Sequence, residues 1–390
     1  MLSIREPRLA LTSALPRDGA PTTGAVRLLA GIVLAFVLSR TAIALLVQWG
    51  GFGVTDLACR WDCGWYLGIA EQGYALVPAE GSGKANWAFF PLYPLAIRAV
   101  SWATGLAPVL AGLLVSNLAI LAGTWAGARY LQRTRPGAPV FWFVVFCAAG
   151  PYSFYFTTDY TEALFFALAA FAMLSWRQDR PLQAAVAAAF LSATRAVGVF
   201  LVLGFVADLV RRHGRSVIGT CLRDSRILLA ILVCPLGLFL YIGFLTLHTG
   251  DGFAFSHVQA GWGHSFAEPF GRIAKALVMP DLDNIWVQGR RSLTWNALWA
   301  ILGLVMIGWL VRRRRYDEAV FAAFCLGIPL TTGLTSIPRY LVGCPVFAFV
   351  LADWLNAIGR PRLLAPLVAA AAAFNLWLVW GWLNNAQFLV

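Results

Sequence analysis

Residues 28–49 read LLAGIVLAFVLSRTAIALLVQW, with Arg40 the one charge. A membrane-crossing helix needs roughly 20 predominantly apolar residues, and this run supplies them. It is longer than a signal-peptide core and lacks a small-residue cleavage site, so it is expected to stay as the first span. The rest of the chain repeats the pattern. Of 390 residues, 60% are hydrophobic and 12% are charged, whereas a soluble domain carries about 45–50% apolar and about 25% charged residues. The expected class is an all-α polytopic membrane protein. The net charge of +12 therefore signals membrane orientation and no nucleic-acid partner. Seven cysteines, with Cys147, Cys234, Cys325 and Cys344 inside apolar runs, match neither a disulfide framework nor a zinc pattern.

Further apolar runs lie at about 106–128, 139–157, 161–176, 227–247, 293–311, 318–334, 339–357 and 363–382. Arginines punctuate them: Arg129, Arg133 and Arg135, then Arg177 and Arg180, Arg211 to Arg226, Arg312 to Arg315, and Arg360 with Arg362. Together with Arg5, Arg8 and Arg17 these are expected on the cytoplasmic side. Parity then requires residues 182–210 to form a short helix pair turning near Ser192–Gly198. By the same parity, residues 88–105 are not a separate span. The expectation is about eleven helices, N-terminus inside and C-terminus outside, as one domain over 26–390 behind a tail at 1–25. Two long loops, 49–105 and 248–292, fall on the extracytoplasmic side. Trp61, Trp65 and Ile69 at helical spacing predict a helix lying in the membrane interface. There is no internal repeat and no low-complexity tract.

The first outer loop reads Arg60-Trp61-Asp62-Cys63-Gly64-Trp65-Tyr66, then Ile69-Ala70, Gly73-Tyr74, and Asn86-Trp87-Ala88-Phe89-Phe90-Pro91-Leu92-Tyr93-Pro94. Three later blocks follow in order: Pro151 to Phe154 leading to Asp159-Tyr160-Thr161-Glu162, Ser192 to Gly198, and Ser336-Ile337-Pro338-Arg339-Tyr340. Together they resemble the PIG-V family of mannosyltransferases and their bacterial relatives, within the GT-C superfamily. The chain departs from that family's pattern at Cys63, which stands where a glycine is usual, with Gly64 next. The resemblance implies a GT-C-like fold, a polyprenyl-phosphate sugar donor, with mannose the family expectation, and an aspartate in the first outer loop. It also implies a lipid-linked or glycan acceptor at the outer face of the cytoplasmic membrane.

Asp62 is the candidate general base, because transfer from a lipid phosphate needs a group to take the proton of the attacking hydroxyl. One displacement inverts the anomeric centre and needs no second carboxylate nucleophile. Asp62 also suits the N-cap of a helix starting there, and the two roles are compatible. Asp159 and Glu162, three apart, are candidates to position the acceptor or to hold a divalent cation, Mg or Mn, and equally suit a cap with a first-turn acid. Arg339 and Arg195 are candidate clamps for the donor phosphate, or structural partners of Asp62 or Asp159. Arg40 carries the same two readings and can snorkel. Trp61, Tyr66, Trp87, Phe89, Phe90, Tyr340 and His257 are candidate contacts for donor lipid or sugar. His248, His257 and His264 have no zinc-motif spacing and suit an ordinary polar loop. Cys59 and Cys63 are expected to be free thiols, since four-residue spacing on a regular helix suits a disulfide poorly. The rival class is a lipid or sugar transporter or flippase, for which polar groups inside spans also speak. Transporters commonly carry inverted repeats, which this chain lacks.

Overall fold

A computed structural model describes residues 23–135, 137–263, 268–359 and 364–389. The tail arginines Arg5, Arg8 and Arg17, His264, Arg360 and Arg362 lie outside the described residues. Every extended element described is a helix. In chain order these are α1 (Thr23–Trp49), α2 (Val54–Ala58), α3 (Cys63–Gln72), α4 (Leu92–Thr104), α5 (Pro108–Thr134), α6 (Val140–Ala149), α7 (Glu162–Arg177), α8 (Pro181–Ser192), α9 (Leu201–His213) and α10 (Val217–Arg223). The remainder are α11 (Ser225–Val233), α12 (Leu236–Thr249), α13 (Ala254–His257), α14 (Pro269–Val278), α15 (Leu293–Arg312), α16 (Tyr316–Thr332), α17 (Ile337–Gly343), α18 (Pro345–Ile358) and α19 (Leu364–Leu383).

Among the described residues, α1, α5, α15 and α19 are each long and apolar enough to cross a membrane. The bent pairs α11–α12, at 41°, and α17–α18, at 81°, raise the number to six. Eleven crossings are therefore not established by length. α8 and α9 have 12 and 13 residues, and 12 residues at 1.5 Å each reach only about 18 Å of an apolar layer about 30 Å thick. Three expected spans are also broken. Residues 139–157 divide into α6 and a 3₁₀ turn, Ser153–Thr157, with Gly150 and Pro151 between them. Pro235 and Pro345 stand at the other two breaks, and each lacks the N–H that a continuous helix would use. Residues 182–210 divide, as expected, into two short helices, α8 and α9, joined through a 3₁₀ turn at Ala196–Phe200. Residues 88–105 supply α4, which Gly105 ends in the left-handed region at φ 72°.

Small residues let the central helices meet closely. A Cβ on Gly123 of α5 would lie 2.8 Å from Ala167 Cα of α7, so glycine there sets the spacing between the two backbones. At one end of the bundle the sequence-clustered arginines meet acids from other helices. Arg135 lies 2.8 Å from both Glu318 and Asp353, and Tyr130 donates to Glu318 at 2.8 Å. Arg177 pairs with Asp208 at 2.8 Å and with Asp317, while Arg212 reaches Asp208 at 2.7 Å. Removing one member of such a buried pair costs about 3–5 kcal/mol, because the other charge is left unpaired.

At the opposite end, the described residues of 49–105 and 248–292 pack on each other. Asn86 accepts from the Ala75 N–H and donates to the Gly73 carbonyl, both at 3.0 Å, closing the hairpin between them. Trp87 Nε1 donates to the Ala75 carbonyl, and the Tyr241 hydroxyl donates to the Trp87 carbonyl, both at 2.7 Å. Trp262 packs edge-on against Trp65 and Phe89, joining the second segment to the first.

Candidate functional site

Four separated stretches deliver Asp62, Glu162, Arg195 and Arg339 to one place. Asp62 sits at the N-cap position of α3, but its carboxylate makes no capping bond. It faces Arg339 instead, with Nη1 donating to Oδ2 at 3.0 Å. Arg339 Nε lies 3.1 Å from Glu162 Oε1, an ion pair without hydrogen-bond alignment. Glu162 also pairs with Arg195, whose Nε donates to Thr161 Oγ1 at 2.7 Å. The order is thus Asp62, Arg339, Glu162, Arg195, with acid and base alternating.

Local geometry explains the convergence. Trp61 is left-handed, at φ 50°, which turns the chain sharply between α2 and α3. The Tyr160 hydroxyl donates to the Arg60 carbonyl at 2.7 Å and accepts from the Asp62 N–H at 3.1 Å, pinning that turn to the start of α7. The Asp159 N–H donates to the Ala58 carbonyl at 2.8 Å, so α2 is held there too. Left-handed Ser336, with φ 61°, starts α17, and the Ile337 N–H donates to Asn296 Oδ1 at 3.0 Å. Arg195 lies in the turn after α8, where the Leu92 N–H donates to the Ala193 carbonyl at 3.1 Å. Aromatic rings flank both guanidiniums: Tyr160 and Tyr340 lie 5.0 and 5.5 Å from Arg339, and Tyr340 lies 5.4 Å from Arg195.

Exposure grades through the cluster. The Asp62 side chain is 31% exposed, Arg195 13%, Arg339 9% and Glu162 0%. Only Asp62 stands open to an incoming molecule, and Arg339 lies directly beneath it.

Cys59 and Cys63 form a disulfide, against the expected free thiols. The expectation assumed one helix through both, but α2 ends at Ala58, Cys59 is extended and α3 begins at Cys63. Their Cα atoms stand 5.3 Å apart, within the usual disulfide range. The same break removes the interfacial stripe. Trp61 precedes α3 and packs edge-on against Trp382 at 4.8 Å, and Ile69 is buried.

Asp159 and Glu162 part company. The Asp159 carboxylate lies against Gly112 of α5, where a Cβ would come within 2.6 Å of Oδ1, and neither of its oxygens has a hydrogen-bond partner. Glu162 is already engaged by two guanidiniums, whose charge repels a further cation. Among the described residues no group of three or more His, Cys, Asp or Glu side chains is placed to hold a metal. The pair therefore does not fit a divalent cation.

Tyr66 is buried beside the cluster, edge-on to Phe89, Tyr93 and Tyr160. Phe89 stacks on Trp65 at 5.7 Å, whereas Trp87 and Phe90 pack beneath α12 and α13 through Tyr241 and Phe255. His257 is exposed and pairs with Asp251 at 2.7 Å. That pairing, with the Phe253 N–H, holds the Asp251 carboxyl below the usual carboxylate range. His248 approaches the Ala75 carbonyl at 3.0 Å. Sequence reasoning did not single out Tyr160 or Trp262. Tyr160 lay inside a motif already quoted, but Trp262 sits in an unpatterned stretch and only its packing on Trp65 and Phe89 marks it. Neither a family model nor a curated protein matches this sequence.

Proposed function

We propose that the protein is an integral-membrane inverting glycosyltransferase that uses a polyprenyl-phosphate sugar donor, with Asp62 as general base. The observation that carries this reading is the open Asp62 carboxylate held 3.0 Å from a buried arginine. The Asp62 side of the pair is 31% exposed, so solvent screens it, whereas the guanidinium is buried. The Glu162–Arg339 pair behind it is buried, a setting in which losing one partner costs about 3–5 kcal/mol. Arg339 keeps Glu162 as a partner when Asp62 is changed, and on the motif resemblance to the PIG-V family Asp62 would be that family's aspartate.

The chemistry follows from the arrangement. A donor phosphate diester competes with Asp62 for Arg339, and its arrival releases the carboxylate. Asp62 then takes the proton of the acceptor hydroxyl as that oxygen bonds to the anomeric carbon. The bond from that carbon to the phosphate oxygen breaks, and its electron pair leaves on a phosphate monoester. Negative charge grows on the leaving group, so a fixed guanidinium stabilises the transition state more than the ground state. Arg195 and Glu162 hold Arg339 in place.

In the same reading the chain is GT-C-like and crosses the cytoplasmic membrane about eleven times, with short helices paired to complete crossings. The site opens to the extracytoplasmic side, opposite the arginine networks. Mannose is the sugar the family resemblance favours, with a lipid-linked or glycan acceptor. The test is transfer by purified protein in proteoliposomes from polyprenyl-phosphate mannose, with polyprenyl-phosphate glucose alongside. Sugar incorporation into an acceptor lipid supports the reading. Movement of the donor across the bilayer without cleavage would instead indicate a flippase.

A further inference from the structure

A second site lies apart from the Asp62 cluster. A cavity of about 770 Å³ opens between α1, α2 and α5. Its wall is mostly apolar, with Ile43, Val47, Leu57 and Leu113 among the lining residues, and Arg40 and Thr157 are also there. Ala44, Gln48 and Val54 at its edge are exposed, so the cavity opens sideways from the bundle, where a span meets lipid.

Arg40 stands inside the first apolar helix and has no carboxylate partner among the described residues. Its Nε donates to Asn117 Oδ1 at 3.2 Å, and its Nη1 donates to the Ala148 carbonyl at 3.0 Å and Ser39 Oγ at 3.3 Å. Phe36 lies 4.8 Å from the guanidinium carbon. Nη2 is buried without any partner, as is Thr157 Oγ1 on the cavity wall. A charge at this depth is costly unless it is paired or used, and neutral acceptors leave it uncompensated. The other deeply placed arginines, Arg135, Arg195 and Arg339, all face acids.

We propose that this cavity binds a lipid phosphate, with the anionic head drawn to the Arg40 and Thr157 wall and the apolar chain along α1 and α5. Guanidinium suits this, since it keeps its charge in an apolar setting and offers spare donors to phosphate oxygens. The ligand is a phosphate ester of net negative charge carrying at least one long apolar chain, either an anionic membrane phospholipid or a polyprenyl monophosphate. The proposal does not depend on the transferase reading, because Asp62 and Arg339 take no part in it.

Native mass spectrometry of the detergent-purified full chain tests it with phosphatidylglycerol, polyprenyl monophosphate, and phosphatidylcholine of matched chains as separate probes. Retention of either anionic probe above phosphatidylcholine is expected, and the arm with greater retention identifies the source. Losing one hydrogen bond to a charged group lowers affinity about tenfold, so Arg40→Gln is expected to reduce retention by about that factor, with Arg40→Lys between. Because Arg40 also holds Ala148 and Asn117, a second variant, Ala44→Trp, fills the cavity edge with the guanidinium still in the chain and is expected to reduce retention too. Equal retention by wild type, Arg40→Gln and Ala44→Trp would overturn the proposal, as would retention of phosphatidylcholine equal to the anionic lipids. Full displacement by inorganic phosphate at equal concentration would show that the apolar chain contributes nothing, and would overturn the lipid assignment.

Discussion

The carboxylates of Asp62 and Glu162 lie on either side of one guanidinium, yet only the first is reached by solvent. Their substitutions should therefore differ in kind. Asp62→Asn keeps an acceptor for Arg339 Nη1 but cannot take a proton, so turnover is expected to fall roughly 10²-fold or more while the melting temperature stays near wild type. Sugar transfer in proteoliposomes and a thermal-shift assay measure the two, and near-native turnover excludes Asp62 as the base. Arg339→Lys retains charge without the planar fork and is expected to keep partial turnover. Arg339→Gln leaves Glu162 short of one partner and removes the cation under the leaving group. It should lower the melting temperature and, in the protein that remains folded, lose most of its turnover, with kcat falling further than donor affinity. If surviving Arg339→Gln protein turns over normally, the guanidinium is a structural partner alone.

The short α2–α3 connection does more than join two helices. Cys59 and Cys63 close a loop around Arg60, Trp61 and Asp62, and Tyr160 grips that loop from α7. A disulfide around so few residues removes little chain entropy, about 2 kcal/mol. Its larger effect is to hold the Asp62 backbone in place. Cys59→Ser with Cys63→Ser is expected to lower turnover several-fold with a small change in melting temperature, and dithiothreitol on the wild type should reproduce it. Unchanged turnover in both experiments would assign the bond to stability only. In this region the sequence pattern misled, because helical spacing through Trp61, Trp65 and Ile69 implied one helix where two meet at a turn.

Across the bundle, polar chemistry separates into two ends. Arg135, Arg177 and Arg212 meet acids at one, and Asp62, Glu162, Arg195 and Arg339 meet at the other. On the proposed orientation, which puts the arginine-rich end in the cytoplasm, Ser82 and Ser216, both exposed, should lie on opposite sides of the membrane. Single cysteines at these positions, in a background whose remaining cysteines are blocked or replaced, are expected to react with an impermeant thiol reagent in intact cells at Ser82→Cys only. Labelling at Ser216→Cys alone would reverse the orientation.

Composition and arginine spacing suffice to read an all-helical chain with apolar spans, since burying backbone in lipid leaves a long helix few alternatives. The positions of α1, α5, α15 and α19, and of the α8–α9 pair, follow from those signals because hydropathy is a local property of the chain. Asp62, Glu162, Arg195 and Arg339 were also visible as residues, being charges in or beside apolar runs. Their order in space was not. Partners such as Asp62 and Arg339, separated by 277 positions, meet only when α3, α7 and α17 are packed together. The breaks in α11–α12 and α17–α18, the Cys59–Cys63 bond and the cavity at Arg40 belong to that packing as well, because each depends on which backbones come within contact distance.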